Sequence, residues 1–392
     1  MGLEVRIIRG RDKIGENLIE ISDGRRRILL ECGVALERTE QTDGIELEIL
    51  KTEYDAVIVT HYHRDHCGML KFPLRTKAVY LGFAAYGVLE YCNAICAENR
   101  SKIRFLQSEI SFFVGEIECV PYLCDHSAYD SYALALKQKD ETVLYTGDFR
   151  SNGRKDFQSF LGKLPQKVNR LIVEGTNPAP KNIAERDVEA QATELFEKYA
   201  KVFVLQSVLN VDRTVSFYRA SKRAGKPFFM RLSAAEIYRS MPNIPEPVRF
   251  FDCFTYLSTP VSPSRRAELK TAFGGKLIGR EAIANTPKFT MQVHAGMLSY
   301  LQKAAKLRPL KGALLVYSIW GGYKTENAEM YAFLSGVQDL GIETVDLHAS
   351  GHADVETVKA LLARTNPDRV DLVHTRAADR DVWAKGLGLE RR

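Results

Sequence analysis

The sequence predicts an α/β fold, on three observations. Short runs of Val, Ile, Leu and Tyr recur along the chain, and several stop abruptly at His, Asp or Glu, as strands do when they deliver polar side chains to the rim of a sheet. From about residue 184 such runs alternate with amphipathic stretches of helical period, the pattern of a parallel sheet with helices on its faces. Directly behind one run, Thr60-His61-Tyr62-His63-Arg64-Asp65-His66-Cys67-Gly68 gathers three of the chain's eight histidines and an aspartate.

Taken in order, residues 3–8 and 16–22 alternate apolar and polar as a half-exposed strand pair does, and Asp23-Gly24 turns the chain into the strand 27–30, which ends in Glu31. Ala56-Val57-Ile58-Val59 is a buried strand leading into the histidine stretch. A strand over 78–81, a helix over 83–97 and two strands ending near Tyr122 follow, and then His126. Strand 142–146 runs into Gly147-Asp148-Phe149-Arg150, and strand 170–173 into Glu174-Gly175-Thr176-Asn177. Pro178 and Pro180 close the first half. Helix 184–200, strand 202–205, helix 211–224, strand 228–230, a helix from Ala234 and a proline-rich link (Pro242, Pro245, Pro247) make up an alternating unit. The chain returns through 312–317 to Trp320-Gly321-Gly322-Tyr323, a helix over 325–339 and a strand over 343–347. His348, Ser350, Gly351 and His352 cluster there. Asp354 caps a helix, and strand 369–373 delivers His374.

At 392 residues the chain has room for two or three domains, and its 45% hydrophobic and 27% charged residues are those of a globular protein. It holds no apolar run of eighteen residues and no secretory pattern at its N-terminus, so no membrane span is expected. Seven scattered cysteines, an odd number without a Cys-x-x-Cys pair, read as reduced thiols of a cytoplasmic protein; Cys92 and Cys96 read as packing residues. The net charge is +6, but residues 150–231 hold sixteen Lys and Arg against eight Asp and Glu, which favours a polyanionic partner.

His61 and His63 alternate about Tyr62, so an extended backbone points both imidazoles to one side, and the chain turns at Asp65 and His66. Nitrogen and carboxylate donors gathered at a strand end suit zinc. His-x-His-x-Asp-His resembles the metal-binding motif of the metallo-β-lactamase superfamily. Gly147-Asp148-Phe149-Arg150, Glu174-Gly175-Thr176-Asn177, Ser350-Gly351-His352-Ala353 and Val373-His374, with the last two histidines 22 positions apart, are similar to successive motifs of its β-CASP branch, the RNase J-like and cleavage-and-polyadenylation-type nucleases.

The resemblance implies a metallo-β-lactamase αββα sandwich with an inserted parallel-sheet α/β (β-CASP) domain: 1–177 as the first part of the sandwich, 178–320 as the insert, 321–392 as the second part. It implies two Zn2+ per chain, one held by His61, His63 and His126, the other by Asp65, His66 and His374, with Asp148 between them. Zinc would activate a hydroxide as the nucleophile. Asp65 would hold that group, His352 would act at the scissile phosphate and Glu174 would tune it. Glu31 stands where relatives carry aspartate, and would orient a metal ligand. Ser350, Gly351, His348 and Arg150 are candidate substrate contacts. Arg64 would face the phosphodiester track or a surface ion pair. Trp320 and Tyr323 stack bases or belong to the core.

The expected function is a zinc-dependent phosphodiester hydrolase acting on single-stranded RNA, as an exonuclease or endonuclease, with a homo-oligomer allowed and no membrane partner. Three alternatives stand beside it: a DNA nuclease of the same branch, a small-molecule hydrolase of lactams, thioesters or lactones, and a metal-poor nucleic-acid-binding protein.

Overall fold

A computed structural model of the chain describes residues 2–36, 43–241, 244 and 253–388. Its strands, among the described residues, are β1 (Glu4–Arg9), β2 (Leu18–Ser22), β3 (Arg27–Leu30), β4 (Ala56–Ile58), β5 (Val79–Gly82), β6 (Ile103–Leu106), β7 (Phe112–Val114), β8 (Ile117–Cys124), β9 (Ser131–Gln138), β10 (Glu141–Tyr145), β11 (Arg170–Glu174), β12 (Lys201–Leu205), β13 (Phe228–Arg231), β14 (Cys253–Tyr256), β15 (Leu277–Ile278), β16 (Phe289–Val293), β17 (Leu314–Tyr317), β18 (Glu343–Asp346) and β19 (Arg369–Val373). They form two compact units, one of Met1–Asn182, Ser240–Pro242 and Ser350–Arg392, the other of Ile183–Arg239 and Asn243–Ala349.

The first unit holds two six-stranded sheets, ordered β1-β2-β3-β4-β5-β6 and β19-β11-β10-β9-β8-β7. Alternate residues of both sheets face each other: Ile28, Leu30 and Ile58 from one meet Leu134, Leu136, Tyr145 and Ile172 from the other in a shared core. The opposite face of the second sheet (Val120, Ala135, Leu144, Leu171) is covered by the helices Phe157–Lys163, Val355–Thr365 and Arg380–Leu387, which contribute Phe160, Leu361 and Trp383. On the first sheet Leu29, Val57 and Leu81, which alternate with the inner residues, are fully buried as well. Such two-sided burial gives β4 its unbroken apolar run, and β3, β4 and β5 are parallel there. This is the predicted α/β class of the metallo-β-lactamase type.

The second unit is a seven-stranded sheet, β15-β14-β13-β16-β12-β17-β18, with every pairing parallel. The helices Leu298–Leu307 and Ala328–Asp339 pack Tyr300, Leu301, Phe333 and Val337 against Phe203, Leu315 and Tyr317 on one face. Glu185–Lys198 and Val211–Arg223 supply Phe196, Phe217 and Tyr218, the last against Phe228 of β13.

Several expectations shift. The helix placed at 83–97 stops at Tyr91, because Asn93 is left-handed (φ 51°), and restarts over Ala97–Arg100. Cys92 is therefore exposed rather than packed. β9 was not foreseen: seven of its eight residues are buried, so no alternation marks it. Three strands, β6, β7 and β8, stand where two were expected before His126. The segment 321–349, expected in the sandwich, lies in the second unit, because the helix Ala328–Asp339 carries the chain from β17 to β18 in the same sheet. The proline-rich link at Pro242, Pro245 and Pro247 lies outside the described residues.

Candidate metal centre

Strand ends of the first unit bring the predicted donors together. Val59 and Thr60 carry the chain out of β4, and His61 is fully buried. His63 precedes the short helix Arg64–Cys67, which turns Asp65 and His66 inward, buried like His61. Gly33 permits this approach: a Cβ there would lie 1.7 Å from the Asp65 carbonyl oxygen. Gly147 (φ +55°), held against Thr60, leads into buried Asp148. His374 follows β19 in the left-handed region (φ 51°), a conformation that costs a non-glycine residue energy and that aims its ring at the cluster.

Asp148 Oδ2 is the hub. It lies 3.8 Å from Nε2 of His61, 3.8 Å from that of His126, 3.2 Å from that of His66 and 3.8 Å from that of His374. On one side His61, His63 and His126 converge, with His126 Nε2 3.1 Å from His63 Nδ1. On the other, Asp65 Oδ2 is 3.0 Å from His374 Nε2 and 3.7 Å from His66 Nε2. Ligands on a tetrahedral ion with bonds of about 2.1 Å stand about 3.4 Å apart, so both trios have the spacing of ligand sets. His61 Nε2 and Asp148 Oδ1 are buried and have no hydrogen-bond partner, as expected of atoms that await a cation.

Protonation of the first trio fits the same reading. Burial holds His61 and His126 well below the usual imidazole range and brings His63 down to about 4, so these rings are neutral and keep their lone pairs. Burial also pulls on His66, but the carboxylates of Asp148, Asp65 and Glu31 outweigh it and raise its pKa. Burial would raise Asp65 and Asp148; the surrounding imidazoles instead hold both below the carboxylate range.

His61, His126 and His374 are oriented from behind. Thr60 Oγ1 lies 3.0 Å from His61 Nδ1, and donates to Glu31 Oε1 at 2.5 Å. Glu31 is itself fully buried, accepts from Tyr145 Oη at 3.2 Å and lies 3.2 Å from His66 Nδ1. Its longer side chain thus comes within ion-pair distance of His66, whose Nδ1 makes no hydrogen bond. Asn17 Nδ2 lies 3.2 Å from His66 Nε2, the nitrogen that also faces Asp148, so it meets the ring on its ligand side. Thr176 Oγ1 is 2.5 Å from His374 Nδ1, and the Gly351 carbonyl is 2.6 Å from His126 Nδ1, which fixes the tautomer that leaves Nε2 facing Asp148. Asn17, Thr60 and Thr176 were not among the predicted site residues; each acts through a contact distant in sequence or through its neighbour.

His352 stands beside the hub, Nδ1 3.6 Å from Asp148 Oδ2 and 2.9 Å from Glu174 Oε2. Glu174 is buried and also accepts from the backbone N–H groups of Phe149 and Ala353. Burial lowers the His352 pKa, yet the Glu174 carboxylate overcomes it and raises it to about 9.

The four candidate substrate contacts have other surroundings. Arg150 is fully buried; its Nε donates to Asp125 Oδ1 at 2.5 Å and its Nη1 to the Ser350 carbonyl at 3.4 Å, so it braces the loops of the site instead of facing a polymer. Gly351 serves His126, and Ser350 Oγ accepts from His352 N at 3.1 Å. His348 is an exposed residue of the second unit, 3.3 Å from Arg213 Nη1, and is not part of the cluster.

Comparison with known proteins finds relatives named ribonuclease J. The chain is 25% identical over 244 residues to a ribonuclease J of Mycolicibacterium smegmatis, 57% of this chain and 44% of that protein. It is 28% identical over 161 residues to a ribonuclease J of Helicobacter pylori, 36% of this chain and 22% of that protein. An RNase J-like protein of Methanocaldococcus jannaschii is 23% identical over 215 residues, about half of each chain. The resemblance to the β-CASP branch holds. No protein-family model matches the chain. A crystal structure of a protein of unknown function from Enterococcus faecalis V583 shares the fold, with a TM-score of 0.76, 20% identity and coverage of 96% of this chain and 94% of that one. The chain thus spans less than half the length of the curated ribonuclease J relatives it matches. No described helix is long and apolar enough to cross a membrane.

Proposed function

We propose that the chain is a metal-dependent phosphodiester hydrolase that acts on RNA and holds two zinc ions. The observation that carries this is Asp148 Oδ2, which lies within 3.8 Å of imidazole nitrogens from both donor trios, His61 and His126 on one side and His66 and His374 on the other. His61, His63 and His126 would hold one ion, Asp65, His66 and His374 the other, and Asp148 would serve both. When bound, such ions lower the pKa of a water towards about 7 and neutralise charge on a phosphoryl group.

The chain's own residues supply the rest. Asp65, kept ionised by its imidazole neighbours, accepts a proton from the attacking water. As the bond from phosphorus to the leaving oxygen breaks, that oxygen takes a proton from His352. Glu174 binds His352 through Nδ1, which leaves Nε2 for the substrate, and holds the imidazolium form through neutral pH. RNA is favoured as the polymer because the matched relatives are named ribonuclease J.

The test is incubation of zinc-loaded protein with end-labelled single-stranded RNA and DNA, each with 5′-phosphate or 5′-hydroxyl, with and without chelator. Chelator-sensitive cleavage of RNA is expected. Cleavage of DNA alone, or of a lactam, thioester or lactone reporter and neither polymer, would overturn the assignment.

A further inference from the structure

Trp320 and Tyr323 take no part in the metal chemistry, and both lie at the surface of the second unit, 42% and 41% exposed. That exposure excludes the core. Their rings meet edge to face, centroids 5.3 Å apart and planes at 87°, so they form a partly exposed aromatic corner.

The corner stands on a rigid base. Tyr317, the buried last residue of β17, donates Oη to the Trp320 carbonyl at 2.9 Å, and Tyr323 N donates to the same oxygen at 3.3 Å. Ser318 N donates to the Leu205 carbonyl at 2.9 Å and Ser318 Oγ to that of Leu347, which ties the turn to β12 and to the end of β18. Beneath it Arg213, buried and paired with Glu185 at 2.7 Å, donates to the Ser318 carbonyl at 3.4 Å. Glycine is required where the indole crosses the chain: a Cβ on Gly322 would fall 2.1 Å from the Trp320 ring, whereas one on Gly321 would meet nothing within 4 Å. A preformed aromatic surface with accessible backbone binds planar groups at little ordering cost.

Charge points to the same ligand. The second unit carries 22 Lys and Arg against 16 Asp and Glu, while the first is balanced at 33 of each, so the whole excess of +6 lies in the unit that bears the aromatic corner. We propose that Trp320 and Tyr323 form a base-stacking site for single-stranded nucleic acid. The assignment rests on the RNA reading above and adds a place where the strand is held. Every base has a π-face, so such contacts are tolerant of sequence, and each typically contributes about five-fold to a hundred-fold in affinity.

The chain's other tryptophan, Trp383, is fully buried and donates Nε1 to the Gly175 carbonyl at 2.8 Å, so a ligand-dependent change in emission reports Trp320. The experiment titrates the full chain, in chelator, with a single-stranded oligoribonucleotide and with a duplex of equal phosphate number. Quenching by the single strand and little by the duplex is expected. Trp320→Ala, Tyr323→Ala and Gly322→Ala should each raise Kd at least about five-fold. Tyr331→Ala, at a 69% exposed ring, is the surface control and should leave Kd unchanged. Unchanged affinity in Trp320→Ala and Gly322→Ala overturns the proposal, as does binding without quenching. It also falls if the wild type self-associates and Trp320→Ala does not, which would make the corner a contact between copies. Zinc-loaded wild type is assayed in parallel on bis(p-nitrophenyl) phosphate. Hydrolysis without stacking sinks the site alone, and stacking without hydrolysis sinks the hydrolase reading alone.

Discussion

Asp125→Asn should damage stability and the metal centre together. The Asp125 and Arg150 side chains are 2% and 0% exposed, with Arg150 Nε 2.5 Å from Asp125 Oδ1. Asp125 Oδ2 accepts from Lys155 N at 2.6 Å, and Arg150 continues to the Ser350 carbonyl, one residue before the Gly351 carbonyl that orients His126. Asparagine keeps the shape but removes the countercharge of a buried guanidinium. Breaking one side of such a pair costs about 3–5 kcal/mol, a large part of a total of about 5–15 kcal/mol. Denaturant unfolding of zinc-free protein in a Trp320→Phe background, followed by Trp383 emission, reads the first unit. Asp125→Leu with Arg150→Met, which removes both charges, should recover at least half the loss. Zinc affinity should fall about 10–100-fold, the usual effect of loosening a ligand's outer partner. A loss below about 1 kcal/mol would mean that the guanidinium finds water, and would refute the bracing role.

Other consequences are direct. Thr176→Val removes the group 2.5 Å from His374 Nδ1 and should weaken the second zinc about 10–100-fold, read by competition with a chromophoric chelator. His63→Ala and Asp148→Ala should abolish hydrolysis and leave the circular dichroism spectrum intact; retained turnover would sink the two-ion reading. Burial, with Arg231 nearby, lowers the His294 pKa to about 4 in the second unit. The unfolded chain, titrating near 6.5, then binds the extra proton, so this residue's effect is to lower stability as pH falls from about 6.5 to 4. His294→Gln should flatten that part of the stability profile, and an unchanged slope would contradict the burial argument.

What could be read in the sequence followed from proximity along the chain. His61, His63, Asp65 and His66 lie in one turn-forming stretch, and His126, Asp148, Glu174 and His374 each end or follow an apolar strand. Pairing across the fold left no such mark. Asp125 beside His126 gives no sign that it neutralises Arg150, and nothing in Asn17 or Thr176 announces the imidazoles they meet. β9, buried on both faces, lacks the period-two signal, and a helix that bridges β17 and β18 looks the same from the sequence whichever sheet receives it. Glu31 was legible as a strand-end carboxylate, and only the structure shows that its extra methylene lets it reach Thr60, Tyr145 and His66 at once.

Zinc-edge anomalous diffraction from zinc-loaded crystals tests the central claim most directly. Two peaks about 3.5–4 Å apart, one beside His61, His63 and His126, the other beside Asp65, His66 and His374, with the Asp148 carboxylate between them, are predicted. One peak, or zinc bound away from Asp148, would contradict it.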